Sequence, residues 1–533
     1  MQRRGIHAQS ERNPCTVSAE RVHKTGGLSA LDGRNTHKCN NERESYMKNK
    51  RPFAVRLLLI GLAAVMTFSA AACGGSGDKG KGSETAAGTD AGSPTAAPTD
   101  APTEAPTEPE TLDPEEAARL KEEAMKTLYE STEAKILPIG GFSTPSTELR
   151  DHNTGVEGSY KAAWQKMADA GLNYMITLEE WSSQYWVVEA AEAAHAAGIK
   201  LWYHGLGDPV RTVEFMNLIL ESEGADALDA IYLKDEPAFD DLDELGKDTQ
   251  SVRDAMGDRK LPVLSNLLPT YAPATSVSDS YRTYVHDYID KCKPEILMFD
   301  YYPFAGGDTT PALIANNAAC MLEANAAGIP MYTFVQSSGW NGITEPNQYQ
   351  IRANAHINLA MGAKGICYFV ACEHYPNWNY SAMLKADGKT TKLYDKVKFV
   401  NDELLAMKGV YLGYDCEGIM LVNYTNAERY LPKTESESFV LSSYGVLASA
   451  APNGSGKFLI GCFKNAEGGI GYYLVNIDNK KNSTIDLTFT SDASGSFSLW
   501  TGAGVADMGD VTPDGTLSVA LEKGAGAFLV INK

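Results

Sequence analysis

Basic charge, cysteine and glycine-rich phosphate turns are all scarce in this 533-residue chain. Its 47 Lys+Arg stand against 68 Asp+Glu, a formal net charge of −21. A surface so acidic repels a phosphate backbone or an anionic membrane, which excludes nucleic-acid binding by the folded part. There are nine cysteines and no CxxC pair. Neither a disulfide framework nor a zinc site is therefore expected, and Cys292, Cys320, Cys367, Cys372, Cys416 and Cys462 read as buried thiols. The first strand-like run ends in Gly140-Gly141-Phe142-Ser143, which does not match GxGxxG, so no dinucleotide or other cofactor is expected. What is present is ordinary globular composition, 43% hydrophobic and 9% aromatic. The length allows three or four domains, or one large barrel with additions.

The N-terminal part differs from the rest. Lys48, Lys50, Arg51 and Arg56 precede the apolar run Leu57–Ala72, whose 16 residues are too few for a membrane span. The run ends in Ala70-Ala71-Ala72-Cys73. This resembles a bacterial lipoprotein signal, in which the peptide is cut before the cysteine and the thiol takes up lipid. The resemblance implies lipidation at Cys73, a location on the outer face of the cell membrane, and membrane contact through that anchor alone. A signal normally opens a chain, so residues 1–46 read as an extension and Met47 as the start. Residues 1–72 carry 12 Lys+Arg and 5 Asp+Glu, so their removal takes the net charge from −21 to −28. Residues 73–114 repeat an Ala-Pro-Thr-acid unit without aromatics. Such a segment cannot bury enough apolar surface to fold and reads as a tether.

From 115 to 412, eight short apolar runs alternate with amphipathic stretches, and glycines such as Gly171, Gly198, Gly328 and Gly365 fall at apparent helix ends. Eight strand–helix units predict a (β/α)8 TIM barrel. From 413 to 533 the helical period gives way to alternating strands separated by turns such as Asn453-Gly454 and Asp514-Gly515, which predicts an all-β sandwich. It reads as a lid packed on the barrel or, by fold analogy, as a sugar-binding module.

In a TIM barrel, chemistry sits where strands end. The strand-end residues are acidic and aromatic: Glu179, Glu180 and Trp181, then His204, Asp235 and Glu236, and Asn266. The later strands add Asp300 and Tyr302, Gln336 followed by Trp340, and Glu373 followed by Trp378. Crowded carboxylates raise one another's pKa and supply acid and base partners. Aromatics there offer flat faces to sugar rings, and together these groups suit cleavage of a glycosidic bond. The bland alternatives are ion pairing for Lys234, core and rim packing for Tyr301 and Tyr302, and a hydrogen-bonded rim site for His204.

Tyr232-Leu-Lys-Asp-Glu-Pro resembles the strand-4 end of the large clan of (β/α)8 glycoside hydrolases, in which Asn-Glu-Pro carries the acid/base. Phe299-Asp-Tyr-Tyr-Pro-Phe and Ile357-Asn-Leu-Ala-Met-Gly-Ala-Lys-Gly extend the likeness to an uncharacterised barrel group over residues 135–410. The resemblance implies Glu236 as acid/base. It departs at strand 7, where the clan's nucleophilic Glu is replaced by Gln336. The second carboxyl then comes from Asp300, as in another barrel clan with Asp on strands 4 and 6, or from Glu373. A third route is a hexosaminidase-like pair, in which Asp235 orients a substrate acetamido group. A separation of about 5–5.5 Å between the carboxyls marks a retaining enzyme and about 6.5–9.5 Å an inverting one. The expected substrate is an oligo- or polysaccharide. The rival is a carbohydrate-binding lipoprotein with a degenerate barrel.

Overall fold

A computed structural model describes residues 136–178, 183–278, 280–407, 409–424, 431 and 439–532. The signal, tether and Cys73, together with Glu179, Glu180 and Trp181, lie outside the described residues.

The eight apolar runs form eight parallel strands that close into a barrel in chain order. They are β1 (Ile139–Phe142), β2 (Tyr174–Ile176), β3 (Lys200–His204), β4 (Leu228–Asp235), β5 (Val263–Leu267), β6 (Leu297–Phe299), β7 (Met331–Gln336) and β8 (Gly365–Phe369), and β8 pairs back onto β1. One long helix follows each strand. These are α1 (Ser159–Asp169), α2 (Gln184–Ala197), α3 (Pro209–Leu220), α4 (Leu242–Met256), α5 (Tyr281–Cys292), α6 (Thr310–Ala327), α7 (Gln348–Ala360) and α8 (Lys392–Ala406).

Local chemistry sets their ends. Asp208 caps α3 by accepting from Arg211 N, with Pro209 in the first turn. Asn347 and Gln350 make a reciprocal capping box at α7. Gly198 and Gly328 close α2 and α6 in the left-handed region at φ +69° and +68°. Gly365 is no cap: it opens β8, and a Cβ there would lie 2.3 Å from the Tyr332 ring. Gly362, at φ +94°, takes the turn after α7 instead.

The barrel interior is filled in layers. Tyr174, Trp202 and Tyr332 pack as a triangle, with centroid distances of 4.3, 5.7 and 6.3 Å. Glycine at 365 and 140 makes room for the two tyrosine rings, and a Cβ at 140 would meet Tyr174 at 2.1 Å. Above this plug, Phe142 touches His204, Tyr232, Phe334 and Phe369 at 5.8–6.4 Å. The period of two then brings His204, Asn266, Asp300 and Gln336 to the top of the interior on β3, β5, β6 and β7.

Among the described residues, nine further strands follow. A six-stranded antiparallel sheet runs in the order β15 (Gly504–Asp510), β14 (Ser496–Thr501), β17 (Gly526–Asn532), β12 (Ile470–Asn476), β11 (Phe458–Asn465), β9 (Tyr414–Val422). It faces a three-stranded sheet of β10 (Leu447–Asn453), β13 (Ser483–Phe489) and β16 (Thr516–Leu521) across a separate apolar core. The outer face of the six-stranded sheet packs on α7 and α8, along the flank of the barrel. The contact is intimate. A Cβ at Gly461 would lie 2.1 Å from the Ala360 carbonyl, and the His356 Nδ1 atom meets the Tyr473 hydroxyl at 2.9 Å. Arg352 of α7, 5% exposed, pairs with Glu403 of α8 and reaches Glu522 in the sandwich at 3.0 Å. The sandwich is therefore a buttress on the flank, and the expectation of a lid is corrected. The six described cysteines from Cys292 to Cys462 are buried, and none forms a disulfide with another described cysteine.

Candidate active site

Adjacent residues on a regular strand face opposite sides, which would part Asp235 from Glu236. A β-bulge between Tyr232 and Lys234 changes this: Asp235 falls opposite Asn266 of β5, on the interior side with Tyr232. The Tyr232 hydroxyl donates to Asp235 Oδ1 at 2.5 Å, and Asn266 Nδ2 donates to the same oxygen at 3.2 Å. The next residue, Glu236, leaves the strand at φ +46°, with its N–H held by the Asn266 carbonyl at 2.9 Å. A left-handed conformation at a non-glycine residue carries strain and marks a place where function competes with local preference. Both carboxyls thus reach the mouth, and Glu236 lies close enough to Asp300 of the β6 end to feel its charge.

Each carboxyl keeps its proton unusually well. Burial is the largest cause for Glu236, followed by the charges of Asp300 and Asp235, and they raise it well above the usual carboxylate range. Asp300, 4% exposed, is pushed up to about 7 by burial and by Asp235, against hydrogen bonds from Tyr302, Glu236 and Asn266 that pull it down. Asp235 is raised by burial, with Tyr232 and Asn266 opposing. Asp235 and Glu236 still keep an edge open to solvent. Three buried acids that feel one another's charge resist ionising together, so their titrations are coupled.

Around the acids, buried polar atoms lack protein partners. His204 is 3% exposed, and neither ring nitrogen is hydrogen-bonded. Burial lowers its pKa to about 3, so the ring is neutral and offers one donor and one acceptor. Gln336, fully buried, accepts from Phe304 N at 2.8 Å through Oε1 and leaves Nε2 free. Asn266 Oδ1, Asp300 Oδ1 and Trp340 Nε1 are likewise unmatched. Buried polar groups are normally satisfied, and an unmatched set converging from several strands calls for hydroxyl-bearing occupants, water or ligand.

The remaining sequence candidates separate. Tyr302 is half-buried and Tyr301 sits in the core. Trp340 lies in the loop after β7 but is only 2% exposed, enclosed by Tyr302, Phe369 and Tyr380. Trp378 is half-buried in the loop after β8. Glu373 turns into that loop and accepts from Ala386 N at 2.9 Å, and no contact links it to Glu236 or Asp300. Lys234 pairs with Asp241 at 2.9 Å and does not contact the acids beside it in sequence. Three contributors escaped the sequence reading. Tyr232 reads there as an apolar strand residue, Tyr271 lies close enough to Asp300 and Glu236 to feel both charges, and Tyr380 packs on Trp378. Among the described residues no cluster of His, Cys, Asp and Glu is arranged to hold a metal ion.

The fold and the acidic mouth define a class: a (β/α)8 barrel built like those of glycoside hydrolases. The GH42 β-galactosidase Gan42B from G. stearothermophilus superposes with a TM-score of 0.51 at 8% identity, over 76% of this chain and 99% of that one. The GH51 arabinofuranosidase from Xanthomonas axonopodis pv. citri gives a TM-score of 0.40 at 10% identity, covering 75% of this chain and 97% of that one. A GH5_18 structure from Bifidobacterium longum subsp. infantis gives 0.38 at 9%, covering 50% and 78%. At such identities the likeness is one of fold. No family model matches the chain, and no curated protein is similar to it in sequence.

Proposed function

We propose that the protein is a glycoside hydrolase in which Glu236 is the general acid and Asp300 its partner carboxylate. One observation carries this reading: Glu236 lies close enough to Asp300 to feel its charge, beside a set of unmatched polar atoms, and both acids are raised above the ordinary carboxylate range. An acid that still holds its proton near neutral pH can deliver it to a departing sugar oxygen, and the anion beside it stabilises the positive charge that develops at the anomeric carbon. Asp300, once ionised, can attack the anomeric carbon or activate water. Glu236→Gln removes the proton and keeps the shape. Turnover of a responsive glycan should fall by about 10²–10⁴-fold, with an unchanged melting curve; full activity in that variant would falsify the assignment.

A second reading has its own support. The strand-7 end holds the Gln336 amide and no carboxylate, which suits a barrel that captures glycans without cutting them. Tight binding with no product after long incubation would favour it. In either case the chain would work at the outer cell surface, held by lipid on Cys73.

A further inference from the structure

The loop between β8 and α8 carries a set of aromatic rings that the acid chemistry does not use. Trp378 lies 4.5 Å from Tyr380, 5.7 Å from His374 and 6.4 Å from Tyr375, which is 38% exposed. Exposed aromatics usually scatter singly, and a contiguous group marks a binding surface. This group is also continuous with the mouth. From Tyr302, which lies close enough to Asp300 to feel its charge, the rings step 5.5 Å to Trp340, 6.2 Å to Tyr380 and 4.5 Å to Trp378.

The shelf is held rigidly. Trp340 and Tyr380 form a backbone bridge, as do Cys372 and Leu384. Gly339 N donates to Ser381 Oγ at 2.8 Å, Ser338 Oγ donates to the Ser381 carbonyl, and Asn379 donates to Asn341. Glu373 fastens the base of the loop through Ala386. Rings fixed in this way lose little entropy on binding a flat partner.

We infer that this shelf binds a second sugar ring of the same glycan whose terminal ring enters the mouth, so the substrate is an oligosaccharide recognised over at least two residues and not an isolated monoglycoside. The inference takes its occupant from the sugar-cleaving reading of the mouth. The ring path from Tyr302 to Trp378 extends past the acids, where a sugar seated on His204 and Gln336 would continue its chain. The polar edges of Tyr, Trp and His suit hydroxyl-bearing rings better than a purely apolar partner.

Binding tests this separately from hydrolysis. Gluco-, xylo-, manno- and galacto-oligosaccharides of one to four residues would be titrated calorimetrically into the full chain carrying Glu236→Gln, with and without Trp378→Ala. In at least one series the tetrasaccharide should bind at least about tenfold more tightly than its monosaccharide. Trp378→Ala should remove that advantage, and Trp378→Phe should restore most of it. Persistence of the advantage in Trp378→Ala, or no length dependence in any series, overturns the inference even if the enzyme cleaves glycans. Length-dependent binding lost on Trp378→Ala, by a wild-type chain that cleaves nothing, upholds the shelf and removes the hydrolytic reading. Sedimentation on the same samples covers the other occupant: a dimer lost in Trp378→Ala with unchanged glycan binding would assign the shelf to a second copy and overturn the inference.

Discussion

The Tyr232 hydroxyl donates to Asp235 Oδ1 at 2.5 Å across the bulge that separates the two residues on β4. That bond favours the ionised form of Asp235, and the Asp235 charge in turn raises Glu236 and Asp300. Tyr232→Phe lets Asp235 take up a proton more readily and so weakens its push on the other two. Both limbs of the pH–rate profile should move to lower pH, by up to about one unit for a hydrogen bond of about 1 kcal/mol. An upward shift, or none, would refute this coupling.

The wild-type profile of kcat/KM should itself be a bell. Asp300 must be ionised, so the rate rises with pH through a value near 7. Glu236 must be protonated, so the rate falls again at higher pH as the raised acid finally ionises. The two limbs belong to the pair as a unit. A profile already flat at pH 5 would count against Asp300 as the anion.

Stability should follow the same group with opposite sense. The folded-state value near 7 lies above the ordinary aspartate value of about 3.9, so between them the native state binds more protons than the unfolded chain. Stability therefore declines as pH rises from about 4 to about 7. Asp300→Asn removes this penalty and should raise stability at pH 8 by roughly 2–4 kcal/mol, and the melting temperature with it, with little change at pH 4. Equal effects at both pH values would show that charge is not the cause.

Gly461→Ala probes the flank contact. Its new Cβ would lie 2.1 Å from the Ala360 carbonyl oxygen and 2.6 Å from the Phe463 ring, and the Ala360 backbone has little room to yield. The change should cost about 1–3 kcal/mol or more. Because β11 lies directly on α7, it should lower a single unfolding transition in which barrel and sandwich melt together. Two separate calorimetric peaks in the wild-type chain would contradict that union.

Cys73→Ser tests the anchor. Palmitate labelling of cells producing the full chain should mark the wild-type protein and disappear in the variant. Labelling that persists would place the lipid elsewhere.

Much of the barrel was legible because strands covered on both faces read as continuous apolar runs that end where polar residues meet the mouth. The same reasoning brought Glu236, Asp300, Asn266, His204 and Gln336 to one end of the fold. What it could not convey was the bulge. No residue type between Tyr232 and Lys234 announces it, yet it decides that Asp235 and Glu236 share the barrel mouth. Glu373 has the right residue type and position, but a backbone N–H thirteen residues away claims its oxygen. Trp340 reads as an open loop ring and is instead enclosed by neighbours that come from three other stretches of chain. Gly365 looks like a helix stop, and its purpose lies across the strand pair, under the Tyr332 ring. Each of these depends on long-range neighbours that local pattern does not encode.

Tyr174, Trp202 and Tyr332 fill the barrel interior on the side of the acids away from the mouth. In the glycosidase reading a released sugar would leave by the mouth through which its precursor enters, so turnover should slow as product accumulates.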